Sequence, residues 1–157
     1  MAESPAARLL AWWRRLHGIP GGRWLFAQIL AIGIPYTGTI RPKVLVVEPG
    51  YARVELKDRR RVRNHLQSVH ALALANVGEL TTGLAMTATV PPETRSILKA
   101  LHVDFVKKAR GTVVAECNCF VPVVVQAVDY DVSSVITDAG GDVVATVTAT
   151  WRLSPPL

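Results

Sequence analysis

Apolar and polar positions fall into three regimes along the chain: helical spacing at the front, an almost unbroken small apolar run in the middle, and two-residue alternation behind it. From Ser4 to His17, Leu9, Leu10, Trp12, Trp13 and Leu16 alternate at helical intervals with Arg8, Arg14 and Arg15, which predicts an amphipathic helix broken by Gly18 to Gly22. Trp24 to Ile34 is a second apolar run, about half the ~20 residues that a spanning helix needs, and it carries Gln28. No small-x-small cleavage pattern follows it, so neither a membrane span nor a cleaved leader is expected. Packing on the domain's own surface is the expectation for this segment; an interfacial membrane helix is the alternative.

Thr39 to Val47 and Tyr51 to Leu56 suit strands joined by the turn Glu48-Pro49-Gly50. In the second, Tyr51, Arg53, Glu55 and Lys57 alternate with Ala52, Val54 and Leu56, so one face is wet and one dry. A basic connection, Asp58 to Arg63, leads into the stretch Asn64 to Gly83, which reads as a helix starting near Ser68 or Val69, with Ser68 as N-cap, and running to about Ala85. Alternation then resumes: Ser96 to Lys107, Thr112 to Phe120, and a hairpin of Ala127 to Thr137 and Val143 to Leu153 about the turn Asp138 to Asp142. Two strands, one long helix and four more strands predict an α+β fold in which one helix lies across a largely antiparallel sheet. The expected division is a helical extension over residues 1–35 and one domain over 36–157, closed by the short tail Ser154 to Leu157.

Composition narrows the class. At 157 residues the chain can bury a core without a metal or disulfide, and at 50% apolar and 19% charged it is not a disordered segment. Cys117 and Cys119 stand two apart in one strand, a spacing that does not favour a disulfide and is by itself a weak metal signal. Reduced thiols fit a cytoplasmic protein, and the leading helix leaves peripheral membrane contact open. A net charge of +6 suits an anionic ligand, an acidic membrane or nucleic acid. For nucleic acid, no aromatic platform is interleaved with the basic residues.

The central helix carries the candidate chemistry. Ala71, Ala75, Gly78, Thr82 and Ala85 form a stripe of small residues that permits another backbone to come close. Glu79 sits beside it and is the only Asp, Glu, Lys or Arg between Arg63 and Glu93, so the helix has no wet face for it to join. An acidic group in such surroundings is costly unless it is paired or used.

Asn64, His70, Ala71 and Glu79 resemble the pattern of hot-dog-fold thioesterases, in the branch of the phenylacetate-pathway and 4-hydroxybenzoyl-CoA enzymes. There an amide side chain precedes a histidine–glycine pair at the helix start, and a carboxylate follows nine residues after the histidine, as Glu79 follows His70. The string RVRNHLQSVHALALANVGEL, with PYTGTI before and HVDFVKKARG after, is similar to an uncharacterised bacterial hot-dog family, over roughly Tyr36 to Leu153. The resemblance implies a long helix wrapped by about six strands, and hydrolysis of an acyl-CoA or acyl carrier protein thioester, with no cofactor beyond the coenzyme A of the substrate and no metal. Glu79 would act as nucleophile or general base. The Ala71 N–H and the Asn64 amide would hold the oxyanion, and His70 would orient the loop. Asn76 or Thr82 would bond Glu79 or a water. Ala71 replaces the family's glycine; it keeps the N–H but adds a methyl.

Ala71 and Glu79 are eight residues apart, about 12 Å along a helix. If both act on one carbonyl they come from different subunits, which implies a homodimer and leaves room for a tetramer. Arg59, Arg60, Arg61 and Arg63, or Lys107, Lys108 and Arg110, are candidates for the coenzyme phosphates. Two alternatives stay open. One is a non-catalytic acyl-binding domain, favoured by the alanine at position 71. The other is a dehydratase using His65 and Glu79, which lacks the proline–glycine loop that accompanies such a pair.

Overall fold

The computed structural model describes residues 5–121 and 123–155. Ser4, expected to begin the first helix, and the last two residues of the expected tail lie outside them. Three helices lead: α1 (Pro5–Leu16), α2 (Gly22–Gly33) and the short α3 (Pro35–Ile40). Strands β1 (Lys43–Glu48) and β2 (Tyr51–Leu56) follow, then one 3-10 turn at Arg60–Val62 and the long helix α4 (Ala71–Thr87). The chain closes with β3 (Arg95–Phe105), β4 (Val113–Asn118), β5 (Val128–Thr137) and β6 (Val143–Ser154).

The six strands form one antiparallel sheet in the order β1-β2-β4-β5-β6-β3. β4, β5 and β6 bury alternate residues beneath α4, among them Val113, Ala115, Val132, Ile136, Val147 and Ala149. The other side of α4 meets α1 and α3, so the helix is covered on two sides and Ala73 to Gly78 are all buried. This explains its lack of a polar face. The helices of the extension pack on the domain, as expected: Leu10, Trp13, Leu16, Phe26 and Leu30 are buried, and the Trp13 indole N–H donates to the Val47 carbonyl at 3.3 Å.

One local expectation needs correction. The strand expected from Thr39 begins only at Lys43, because Pro35 pre-sets the first turn of α3 and Thr39 bonds back to the Tyr36 carbonyl at 2.6 Å. Arg41, left-handed at φ 49°, and Pro42 then end α3 and turn the chain into the sheet. Gly78, in the small stripe on α4, allows the close approach expected there, and it is the chain's own sheet that comes close. A methyl at Gly78 would stand 2.3 Å from Val147 Cγ2, and the Ser134 hydroxyl donates to the Gly78 carbonyl at 3.1 Å.

Candidate active site

The loop into α4 is built by two carboxamide and carboxylate clasps. Asp58 accepts from the Arg63 guanidinium at 2.6 and 3.2 Å and from the Gly111 N–H at 2.9 Å. The Arg63 bonds hold its carboxyl below the usual range. Asn64 Oδ1 accepts from the Leu66 N–H (2.9 Å), the Ser68 N–H (3.2 Å) and the Ser68 hydroxyl (3.1 Å). Ser68 is therefore committed to Asn64 and does not cap the helix as expected. The N-cap is His70, whose Nδ1 accepts from the Leu72 N–H at 3.1 Å, which puts the proton of the neutral ring on Nε2. His70 is itself held by its N–H to the Val62 carbonyl at 2.7 Å. Ala71 is the exposed first residue of α4, and among the described residues its N–H has no acceptor. It stands at the positive end of a 17-residue helix.

Glu79 lies two turns along, in a cavity of about 320 Å³ between α4 and the extension. Its neighbours there are Leu9 and Leu10 of α1, Ile34, Leu84 and Trp151. Burial pushes the Glu79 carboxyl above its ordinary value, and among the described residues nothing hydrogen-bonds to it. The Thr82 hydroxyl goes elsewhere. It donates to the Glu79 backbone carbonyl at 2.7 Å and accepts from the Trp151 indole at 3.1 Å.

His70 and Asn76 line a separate, larger and more open hollow of about 710 Å³ beneath α3, together with Arg61 and Arg63. Asn76 is 8% exposed, and its side-chain oxygen is buried without a partner among the described residues. One chain thus does not bring Glu79 into the same cavity as His70 and Asn76. Arg41 also lines this hollow. Burial, then the nearby charges of Arg41 and Arg61, lower the pKa of Arg59, whose guanidinium donates to the Ile40 carbonyl. Lys107 is tied to Asp138 (2.8 Å) and Asp142 (2.5 Å) in the β5–β6 turn, while Lys108 is exposed. His65 is exposed in the loop and lines neither hollow. Cys117 and Cys119 are free thiols; their shared hydrogen bond pushes Cys117 up and Cys119 down. Among the described residues, no group of three or more His, Cys, Asp or Glu could hold a metal ion, and no helix is long and apolar enough to cross a membrane.

Sequence reasoning did not assign the walls of the Glu79 cavity, because Leu9, Ile34 and Trp151 are far apart in the chain. It also missed Arg41, which a helix-ending position before proline brings beside Arg59.

A six-stranded antiparallel sheet wrapped about one long helix is the hot-dog fold. Within it the chain belongs to the DUF4442 family, described as a domain of unknown function, whose model matches residues 22–153. Among solved structures, a structural-genomics target is 26% identical with a TM-score of 0.82, over 97% of this chain and 99% of that one. A Pseudomonas aeruginosa protein described as of unknown function and a probable thioesterase is 23% identical (TM-score 0.74), over 87% of this chain and 97% of its own. A mutant of the phenylacetic acid degradation protein PaaI from Thermus thermophilus is 19% identical (TM-score 0.63), over 75% and 97%. No curated protein sequence matches this chain.

Proposed function

We propose that this protein hydrolyses acyl thioesters of coenzyme A or acyl carrier protein in a site shared by two protomers. The observation that carries the reading is Glu79: a lone carboxyl on an otherwise apolar helix, in an apolar cavity, with its pKa raised by burial. A carboxylate poised nearer neutrality is suited to take a proton from water, or to attack a carbonyl directly. The unpaired Ala71 N–H at the positive end of α4 supplies the complementary half, a donor for the oxyanion. Asn64 supports it; its oxygen is fixed by three donors, and its NH₂ has no acceptor among the described residues. His70 acts by capping the helix and so fixing the direction of these N–H groups.

The two halves lie eight residues apart on one helix, about 12 Å, so the partner's Ala71 completes the Glu79 site. β3 supports this arrangement: it is an edge strand of 11 residues, with Ile97 66% and Phe105 53% exposed. A long edge that exposes apolar side chains calls for a cover, and pairing two β3 edges about a two-fold axis provides one. Arg61 and the neighbouring Arg41 and Arg59 suit the substrate's phosphates, since crowded guanidinium groups gain from an anion. Arg63 and Lys107 already hold carboxylates; Lys108 is exposed, forms no ion pair among the described residues and can assist.

One observation favours a second reading, acyl binding without hydrolysis: the Glu79 carboxyl lacks any hydrogen-bonding partner to orient it among the described residues. Thiol release from a panel of acyl-CoAs separates the two. Hydrolysis that falls by about a hundredfold or more in Glu79→Gln supports the enzyme. Undiminished hydrolysis in that variant removes Glu79 from the chemistry. Binding with no turnover by the unaltered protein establishes the second reading.

A further inference from the structure

The cavity that holds Glu79 has a direction and a roof of its own. Glu79, Gly83 and Thr87 succeed one another at steps of four along one face of α4, and all three line it, with Leu80 and Leu84 alongside. Glu79 marks one end. Thr87, the last residue of α4, and Ser96 near the start of β3 mark the other. Eight residues of helix give a length of about 12 Å. Gly83 keeps the floor low: a methyl there would touch the Trp151 ring at 3.3 Å, and Trp151 itself walls the cavity. The roof is Leu9 and Leu10 of α1, a helix that lies wholly before the span 22–153 matched by the family model.

We infer that this cavity is an acyl subsite for an unbranched aliphatic chain of about eight to ten carbons, its length set by the span from Glu79 to Thr87 and its roof by α1. The inference rests on the thioesterase reading for the position of the carbonyl, which must stand at the Glu79 end. Carbon–carbon bonds of about 1.52 Å at angles of about 111° advance an extended chain by about 1.25 Å per carbon. A trough of about 12 Å therefore takes nine carbons or so before it meets Thr87 and Ser96. A volume of about 320 Å³ stands at the low end of ligand cavities, and leucine and tryptophan walls give an alkyl chain apolar contact along its length. Apart from Glu79, the polar side chains lining it are the hydroxyls of Thr87 and Ser96 at the far end, so nothing along the walls asks for a polar acyl group. A two-carbon acyl group leaves most of the trough empty.

The test uses the full chain and straight-chain acyl-CoAs of 2 to about 16 carbons, with benzoyl-CoA as the aromatic comparison. The expected kcat/KM profile peaks at eight to ten carbons. Thr87→Phe, which plugs the end remote from Glu79, lowers the ratio of kcat/KM for decanoyl-CoA to that for butyryl-CoA by at least tenfold. Leu9→Ala, which thins the roof at a half-buried position, raises kcat/KM for benzoyl-CoA relative to decanoyl-CoA while Thr87 still sets the preferred length. Decanoate binding, measured by calorimetry on the unaltered protein and on Thr87→Phe, provides a readout independent of turnover. If hydrolysis occurs but the profile ignores both substitutions, or favours acetyl or benzoyl groups, the subsite is wrong and the thioesterase reading stands. If nothing is hydrolysed but decanoate binds and Thr87→Phe weakens it tenfold, the subsite stands and the hydrolytic reading falls. Neither turnover nor decanoate binding overturns both.

Discussion

At the scale of single residues, Glu79 and Gly78 sit side by side on α4 and answer to opposite demands. Gly78 is a packing residue. With Val147 Cγ2 at 2.3 Å and Val147 Cβ at 2.6 Å from an added methyl, Gly78→Ala forces the helix off the sheet. A loss of about 1–3 kcal/mol is expected, measured by denaturant melts, despite the better helix propensity of alanine. Among the described residues no partner holds the Glu79 carboxyl, and burial alone raises its pKa. The folded protein therefore binds the Glu79 proton more tightly than the unfolded chain. The resulting stability is fully present below the unfolded carboxyl's pKa and is lost as pH rises through the folded one. At neutral pH Glu79→Gln should melt higher than the unaltered protein, and the gap should close in acid; equal melting temperatures across the range would contradict the buried carboxylate. In the proposed mechanism the ionised form is the active one, so kcat should rise with pH through a carboxyl pKa above the ordinary value.

At the scale of elements, much was legible in the chain because most elements obey one period. The alternation in Tyr51 to Leu56 and the turn Asp138 to Asp142 mark β2 and the β5–β6 hairpin, and the lone Glu79 in an apolar run marks α4 as a helix covered on two sides. What the sequence hid were competitions between local partners. Ser68 has good capping chemistry, yet Asn64 takes its hydroxyl and its N–H, so His70 caps instead. Thr39 suits a strand, yet Pro35 draws it into α3. The walls of the Glu79 cavity were hidden more deeply, since no periodicity joins Leu9 to Trp151. β3 carries the prediction at this scale. Its exposed apolar residues include Ile97 and Phe105, and its outer edge pairs with no strand among the described residues. A charge on such an edge blocks strand pairing, so Ile97→Lys should shift the protein toward monomer in light scattering and lower activity together with assembly. A fully active monomer would refute a shared site.

At the scale of the whole molecule, the sheet, α4 and the extension divide the labour. The sheet holds α4 from one side, and α1 closes the Glu79 cavity from the other. The donor end of α4 opens on a different hollow, with His70 and Asn76. On the proposed reading a single chain carries both halves of a thioester site without uniting them, and a second copy unites them. Subunit complementation tests this most directly. Ala71→Pro removes the N–H while suiting the first helical position, since His70 before it is already extended at φ −65° and ψ 141°. Ala71→Pro and Glu79→Gln should each be nearly inactive alone. Mixed in equal amounts under subunit exchange, half the dimers pair the two variants and hold one intact site of two, so about a quarter of the unaltered activity should return. Exchange confirmed by mass with no activity restored would contradict the shared site.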